Sequence, residues 1–311
     1  MTTKVFIDGK AGTTGLRIYE RLQLRNDIEL MTLSDEDRKK PECRKAMLNS
    51  CDIAFLCLPD DASREAVAMI DNPNVVVLDT STAHRTLDDW AYGFPELSQA
   101  HLQKIKTSKR IAVPGCHASG FIALIYPLVE AGILPANSLL TCHSVTGYSG
   151  GGKKLIAEYE DENRSKLYDA PRQYGLTQQH KHLKEMVKIS AIENTPAFCP
   201  IVADYYSGML VTIPIFNSQL NSGYSVENIR DVYRKLYNSK LVSYVENATE
   251  AGLLSGNALS GNDSMQIMVE GNEERILLLA RYDNLGKGAS GAAVECMNIV
   301  MNKAPETGLD I

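Results

Sequence analysis

The first hundred residues alternate between short apolar runs and segments whose apolar side chains recur every three or four positions. Residues 4–8, 28–33, 53–58 and 75–79 read as strands, while Leu16, Tyr19 and Leu22, and again Ala62, Ala66, Met69 and Ile70, mark single helix faces. Strands separated by a helix must run parallel, because the crossover returns the chain to the edge it left. The expected fold class is therefore α/β, a doubly wound parallel sheet of Rossmann type. Residues 110–113 add a further strand, after which Pro114-Gly115 bends the chain into a helix running from Cys116 to about Ala131.

Beyond Leu139 the pattern changes to longer strands at 139–146, 198–205 and 208–215 and a helix over 226–236, and Gly271-Asn272 turns 265–270 back into 275–282 as a hairpin. This second part reads as α+β with a mixed or antiparallel sheet. A last helix, 288–301, carries Ala292, Ala293, Val294, Met297 and Val300 on a small apolar face suited to packing on the first domain. The expected division is 1–116 with 285–311, and 117–284. With 44% hydrophobic and 23% charged residues the chain has the balance of an ordinary folded protein, and a net charge of −6 argues against a nucleic-acid partner. Seven cysteines, an odd number without a CxxC pair, read as thiols in a reducing compartment. The apolar stretch 120–134 is broken by Pro127 and Glu130 and falls short of a bilayer span. No signal-peptide pattern opens the chain, so a cytoplasmic location without membrane partners is expected.

Directly after the first strand, Gly9, Gly12 and Gly15 recur at three-residue spacing in DGKAGTTG and open a helix together with Thr13 and Thr14. Glycines there permit the tight strand-to-helix turn and let backbone N–H groups approach a pyrophosphate, so a dinucleotide is the expected ligand. At the end of the second strand, Asp35 suits the ribose 2′-hydroxyl of NAD, whereas Ser34 with Arg38 suits the 2′-phosphate of NADP. The residues alone leave that choice open.

Cys116 follows Pro114-Gly115 at a helix amino terminus, where the macrodipole favours a thiolate and hence a nucleophile. Cys43, Cys51, Cys57 and Cys142 lie in apolar runs and read as packing residues. Among the later histidines, His180 and His182 follow a polar run and precede a helix containing Glu185, which makes them better proton-transfer candidates than His143 inside a strand. No ligand spacing suggests a metal. Arg85, at the carboxyl edge of the fourth strand, is placed to clamp an anion, and the donor-rich segment 147–153, with Ser149, reads as a flexible loop.

Together, DGKAGTTG, VPGCHASGF, the SGGGK loop, His180-Lys181-His182 with Glu185, and DNLGKGASGAA resemble the shorter type of N-acetyl-gamma-glutamyl-phosphate reductase, a family related to the aspartate-semialdehyde dehydrogenases. The resemblance spans nearly the whole chain. It implies a Rossmann domain completed by the carboxyl-terminal helix, an inserted catalytic and dimerising domain, a homodimer or homotetramer, and NADP as cofactor. It implies Cys116 as nucleophile and His180 as acid/base, with Tyr174, His182 and Glu185 in the site, Arg85 at an anion position and Asn284 near the nicotinamide. The implied reaction, part of arginine biosynthesis, reduces an acyl phosphate with NADPH through a thioester, with backbone N–H groups near Cys116 as the expected oxyanion site. Two alternatives are an aspartate-semialdehyde dehydrogenase, whose pattern of Asn before and Thr after the cysteine is not met by Gly115 and His117, and a non-catalytic redox sensor built on the cofactor loop and Cys116.

Overall fold

The computed structural model describes residues 2–10 and 12–311. Ala11 of the glycine-rich loop lies outside the described residues. The chain forms two compact units: the first holds residues up to Pro95, Gln99–Gly115 and Ala289–Leu309, and the second Glu96–Ser98, Cys116–Gly288 and Asp310–Ile311.

The first unit contains strands β1 (Thr3–Asp8), β2 (Ile28–Met31), β3 (Ile53–Leu56), β4 (Val76–Asp79), β5 (Ala91–Tyr92) and β6 (Arg110–Ala112). Its helices are α1 (Thr13–Leu22), α2 (Pro41–Ser50), α3 (Asp60–Ala68), α4 (Gln99–Thr107) and the carboxyl-terminal α9 (Gly291–Val300). All six strands are parallel, in the order β2-β1-β3-β4-β6-β5. The expected parallel sheet is thus present, with β5 as an added edge strand. Every residue of β3 and β4 is buried, as a sheet covered on both faces demands. One apolar layer gathers Val5, Ile18, Phe55 and Leu78 with Ala293, Val294 and Met297 of α9. Truncating a buried Met or Leu of this kind costs roughly 2–5 kcal/mol.

The second unit contains α5 (Cys116–Glu130), β7 (Thr141–Gly147), α6 (Gly152–Glu160), β8 (Arg172–Gln173), α7 (Leu183–Ser190), β9 (Ala197–Ala203), β10 (Met209–Phe216), α8 (Val226–Leu236), β11 (Val242–Tyr244), β12 (Met265–Gly271) and β13 (Arg275–Tyr282). Its seven-stranded sheet runs β11-β12-β13-β10-β7-β9-β8 and is mixed. β7 pairs parallel with β9, whereas β10, β12 and β13 pair antiparallel. The β12–β13 hairpin closes at Gly271, whose φ of +105° suits glycine and where a Cβ would meet Arg275 O at 2.2 Å. α5 is buried on nearly every face, including Phe121, Ile122, Leu124 and Leu128, and packs against β13, β10 and α7. That burial is why the helix persists through Pro127, which removes an internal hydrogen bond.

Candidate active site

In the first unit, β1 ends at Asp8 and the chain turns sharply into α1. Gly9 has φ +89°, and a Cβ there would stand 2.3 Å from Cys57 O; a Cβ on Gly15 would stand 2.6 Å from Gly9 O. Both glycines are therefore demanded by close packing of the turn against β3 and of the helix against the turn. Gly12 N–H donates to Gly9 O at 3.0 Å, and Thr13 and Thr14 form the first turn of α1. Beside this turn opens a cavity of about 530 Å³ whose wall includes Gly9, Lys10, Tyr19, Asp35, Arg38 and Arg44. Its charges are held in place: Arg44 pairs with Asp8 at 2.8 Å, Arg38 with Asp35 at 3.2 Å, and Lys10 Nζ stands 3.2 Å above the Tyr19 ring. Ser34 is not in the wall; its hydroxyl donates to Asp37 at 2.9 Å and caps the turn that follows.

The segment after β4 is pinned rather than loose. The Asp79 carboxylate accepts from Ser63 at 2.8 Å and Ser81 at 2.7 Å, and lies 2.6 Å from His84 Nδ1, while the His84 ring stacks on Trp90. Arg85 is buried, and its guanidinium donates to Val113 O and Thr80 O, each at 2.8 Å. Arg85 thus ties the end of β4 to the strand that leads into Pro114-Gly115.

In the second unit, Cys116 opens α5 and is half-buried. The next residue, His117, is buried among rings: His180 at 5.7 Å, His182 at 5.7 Å and Phe198 at 5.3 Å between centroids. Both its nitrogens have partners, Ser144 Oγ on β7 at 2.7 Å from Nδ1 and Tyr174 Oη at 2.6 Å from Nε2. Burial first, then the neighbouring His180 and Lys181, hold its pKa down to about 3, so His117 is neutral. Burial, with a smaller contribution from Cys116, pushes the Tyr174 hydroxyl well above its ordinary value, so it remains a protonated donor near the thiol.

The residues 174–182 are fastened to β9. Tyr174 N–H donates to Pro200 O at 3.0 Å, and the Gln178 side chain donates to Phe198 O and accepts from Phe198 N–H. His180 Nδ1 accepts from His182 N–H at 3.3 Å, which places the proton of the neutral ring on Nε2. Burial, then Lys181, lowers the pKa of His180. His182 precedes α7, and Glu185 lies buried in its first turn. The structure thus gathers Tyr174, His180 and His182 around His117 beside Cys116. His117 itself was not singled out from sequence; its adjacency to the cysteine was the available signal, but its partners come from β7 and from the 174–182 segment.

Ser149 and Asn284 are buried and bonded to each other, Asn284 Nδ2 donating to Ser149 Oγ at 3.0 Å while Asn284 Oδ1 accepts from Gly208 N–H. The segment expected to be a flexible loop is instead a 3₁₀ turn, Tyr148–Gly151, running directly into α6. Asn284 and Ser149 fix that turn to the end of β13. Burial pushes the thiols of Cys51 and Cys57 up to about 12, in line with packing roles. Among the described residues no helix is long and apolar enough to cross a membrane.

The family description "semialdehyde dehydrogenase, NAD binding domain" matches residues 32–105, and "semialdehyde dehydrogenase, dimerisation domain" matches 116–284. The chain is 43% identical to N-acetyl-gamma-glutamyl-phosphate reductase 2 of a Nostoc species, over 98% of this chain and 99% of that protein. It is 44% identical to the N-acetyl-gamma-glutamyl-phosphate reductase of Rhizobium meliloti, over 97% and 100%. In fold it is similar to aspartate semialdehyde dehydrogenase II of Vibrio cholerae, with a TM-score of 0.73 at 16% identity over 97% of this chain and 99% of that one. It is also similar to the Candida albicans aspartate semialdehyde dehydrogenase solved with NADP, with a TM-score of 0.67 at 15% identity over 97% and 99%. The chain belongs to the N-acetyl-gamma-glutamyl-phosphate reductase family, within the semialdehyde dehydrogenases.

Proposed function

We propose that this chain reduces N-acetyl-gamma-glutamyl phosphate to N-acetylglutamate semialdehyde, with release of phosphate and oxidation of NADPH, as a step of arginine biosynthesis. The observation that carries the reading is the placement of Cys116 at the head of α5 beside the His117, Tyr174, His180 and His182 cluster, in a chain over two-fifths identical to reductases of that name.

The Cys116 thiolate attacks the acyl carbon; the C–S bond forms as the C–O bond to phosphate breaks, leaving a thioester. Backbone N–H groups of the first turn of α5 face the developing oxyanion. Bound NADPH supplies the hydride equivalent that takes the thioester to the aldehyde level. His180, protonated in the biosynthetic direction, gives up one ring proton as the thiohemiacetal alkoxide collapses to the aldehyde, so the thiol is regenerated and the imidazole returns to its neutral form. Ser149, Tyr174, His182 and Glu185 form the substrate-binding set, and Arg85 serves as the anion-binding residue.

The residues around the 530 Å³ cavity fit a dinucleotide: a glycine turn at a helix amino terminus, and Lys10, Arg38 and Lys39 in the wall. Arg38 would hold the 2′-phosphate of NADP; its present pairing with Asp35 is exposed and weak enough to exchange for that phosphate. In this reading residues 1–116 and 285–311 bind the cofactor, 117–284 perform the chemistry, and the enzyme is a cytoplasmic homodimer or homotetramer.

The test is the reverse reaction, with purified protein, N-acetylglutamate semialdehyde, phosphate and either NADP or NAD, followed by absorbance of the reduced nicotinamide. Phosphate-dependent reduction of NADP supports the reading. Faster turnover of aspartate semialdehyde, or cofactor binding without turnover, would replace it with the sister activity or with a redox sensor.

A further inference from the structure

The hydroxyl of Tyr282 occupies an unusual place in the helix that carries the nucleophile. In a regular α-helix the amide of residue 120 donates to the carbonyl of residue 116. Here α5 is helical from Cys116, and Gly120 N–H also donates to Tyr282 Oη at 3.0 Å, while Tyr282 Oη donates to the carbonyl of Cys116 itself. The tyrosine side chain therefore bridges two groups of the first turn of α5 and ties that turn to the end of β13. Gly120 makes room for it: a Cβ there would stand 2.7 Å from the hydroxyl.

The other end of this bridge is rigid. Tyr282 closes β13 and is paired on one side with Met209 of β10 and on the other with Met265 of β12, well inside the seven-stranded sheet. Immediately after it, the buried Asp283 carboxylate accepts from Leu285 N–H at 2.7 Å and from Ser207 Oγ at 2.9 Å, folding the chain back on itself. That fold brings Gly288, whose N–H donates to Asp283 O at 3.0 Å, against the nucleophile from a second side. A Cβ on Gly288 would stand 3.1 Å from Cys116 Cβ.

We infer that Tyr282, with Gly288, is a clamp that sets the position of Cys116, the hydroxyl holding the carbonyl of the cysteine while the glycine admits its Cβ. This makes Tyr282 a positioning residue for the reaction proposed above and rests on that reading. It also gives a physical role to the segment between Tyr282 and Gly288. Burial, together with the nearby Cys116, keeps the hydroxyl protonated far above neutral pH, so the bridge does not titrate in the working range.

The experiment compares wild type with Tyr282→Phe, which removes only the bridging oxygen. The first readout is alkylation of Cys116 by iodoacetamide across pH, followed at the Cys116 peptide by mass spectrometry. The second is the split between kcat and KM. The clamp predicts that the alkylation midpoint of Tyr282→Phe rises by roughly half a pH unit, as the first turn loses its fixed aim at the thiolate. It also predicts that kcat falls roughly 10–100-fold with KM changed less than about 3-fold, the signature of a misplaced reacting group. An unchanged midpoint together with kcat within about 2-fold of wild type would overturn it. If Tyr282→Phe does not fold, Gly288→Ala tests the other jaw, because its methyl must push Cys116 by a few tenths of an ångström. A folded Gly288→Ala protein that alkylates and turns over like wild type would equally overturn the clamp. Alkylation needs no substrate, so failure of wild type to turn over the acyl phosphate would remove the proposed activity and leave this comparison intact.

Discussion

The neutral, buried His117 makes a quantitative prediction about acid sensitivity. Its imidazole titrates near 6.5 when the chain is unfolded and at about 3 when folded, chiefly because burial penalises the charged ring. Between those values the unfolded state binds the additional proton, so stability rises with pH across this window. The contribution of the neutral ring is complete above pH 6.5 and is lost as pH falls from 6.5 toward 3, at about 1.4 kcal/mol per unit. Going from about pH 7.5 to about pH 5 therefore removes about 2 kcal/mol through this one residue. With only 3% of its surface exposed, solvent screening does little to reduce that figure. Replacing it by a side chain that offers polar atoms but cannot charge, His117→Gln, should flatten the dependence by the same amount, whatever the variant loses in absolute stability. The assay is urea unfolding followed by far-UV circular dichroism at the two pH values for both proteins. Equal losses on acidification in wild type and His117→Gln would refute the reasoning.

Three further outcomes follow from the site. Removing the cation beside His180, as Lys181→Gln, should raise the pKa of that histidine and move upward the acid limb of the kcat/KM profile for the reverse reaction, in which His180 is the base, while burial, the larger cause, remains; a shift downward would contradict the assignment. Gly9→Ala forces a Cβ to 2.3 Å from Cys57 O at φ +89°, and should cost roughly 1–3 kcal/mol in strain and abolish cofactor binding, measured by thermal melting and by nicotinamide fluorescence titration. Arg38→Ala should weaken NADPH about 10–100-fold, the loss expected for a charge-assisted phosphate contact, while leaving NADH nearly unaffected; equal weakening of both would place the 2′-phosphate elsewhere.

Much of the fold was legible because burial on both faces leaves a strong mark on sequence. The continuous apolar runs of β3 and β4, the small-residue face of α9 and the Gly271-Asn272 turn each admit one local structure. What escaped was short or tertiary. β5 and β8 are two residues each, too brief for a period to show, and β11 has three. The glycine-rich segment at 147–153 looked flexible by composition, yet Asn284 and the backbone of Tyr205 and Tyr206 tie it down. Cys116, His180 and His182 were readable from their turn and loop settings. The roles of His117 and Tyr282 were not, since each depends on partners brought in from distant strands: Ser144 on β7 for the histidine, and the Cys116 and Gly120 backbone for the tyrosine. Arg85 carries the charge an anion site needs, and its guanidinium also donates to the carbonyls of Thr80 and Val113.

Capture of the acyl group by Cys116 leaves a covalent mark that intact-protein mass spectrometry reads. Wild type mixed with N-acetyl-gamma-glutamyl phosphate in the absence of nicotinamide should gain the mass of one N-acetylglutamyl group, located on the Cys116 peptide and removed by hydroxylamine, while Cys116→Ala gains none. An adduct of equal yield on Cys116→Ala, or turnover by that variant without any adduct on wild type, would contradict the account.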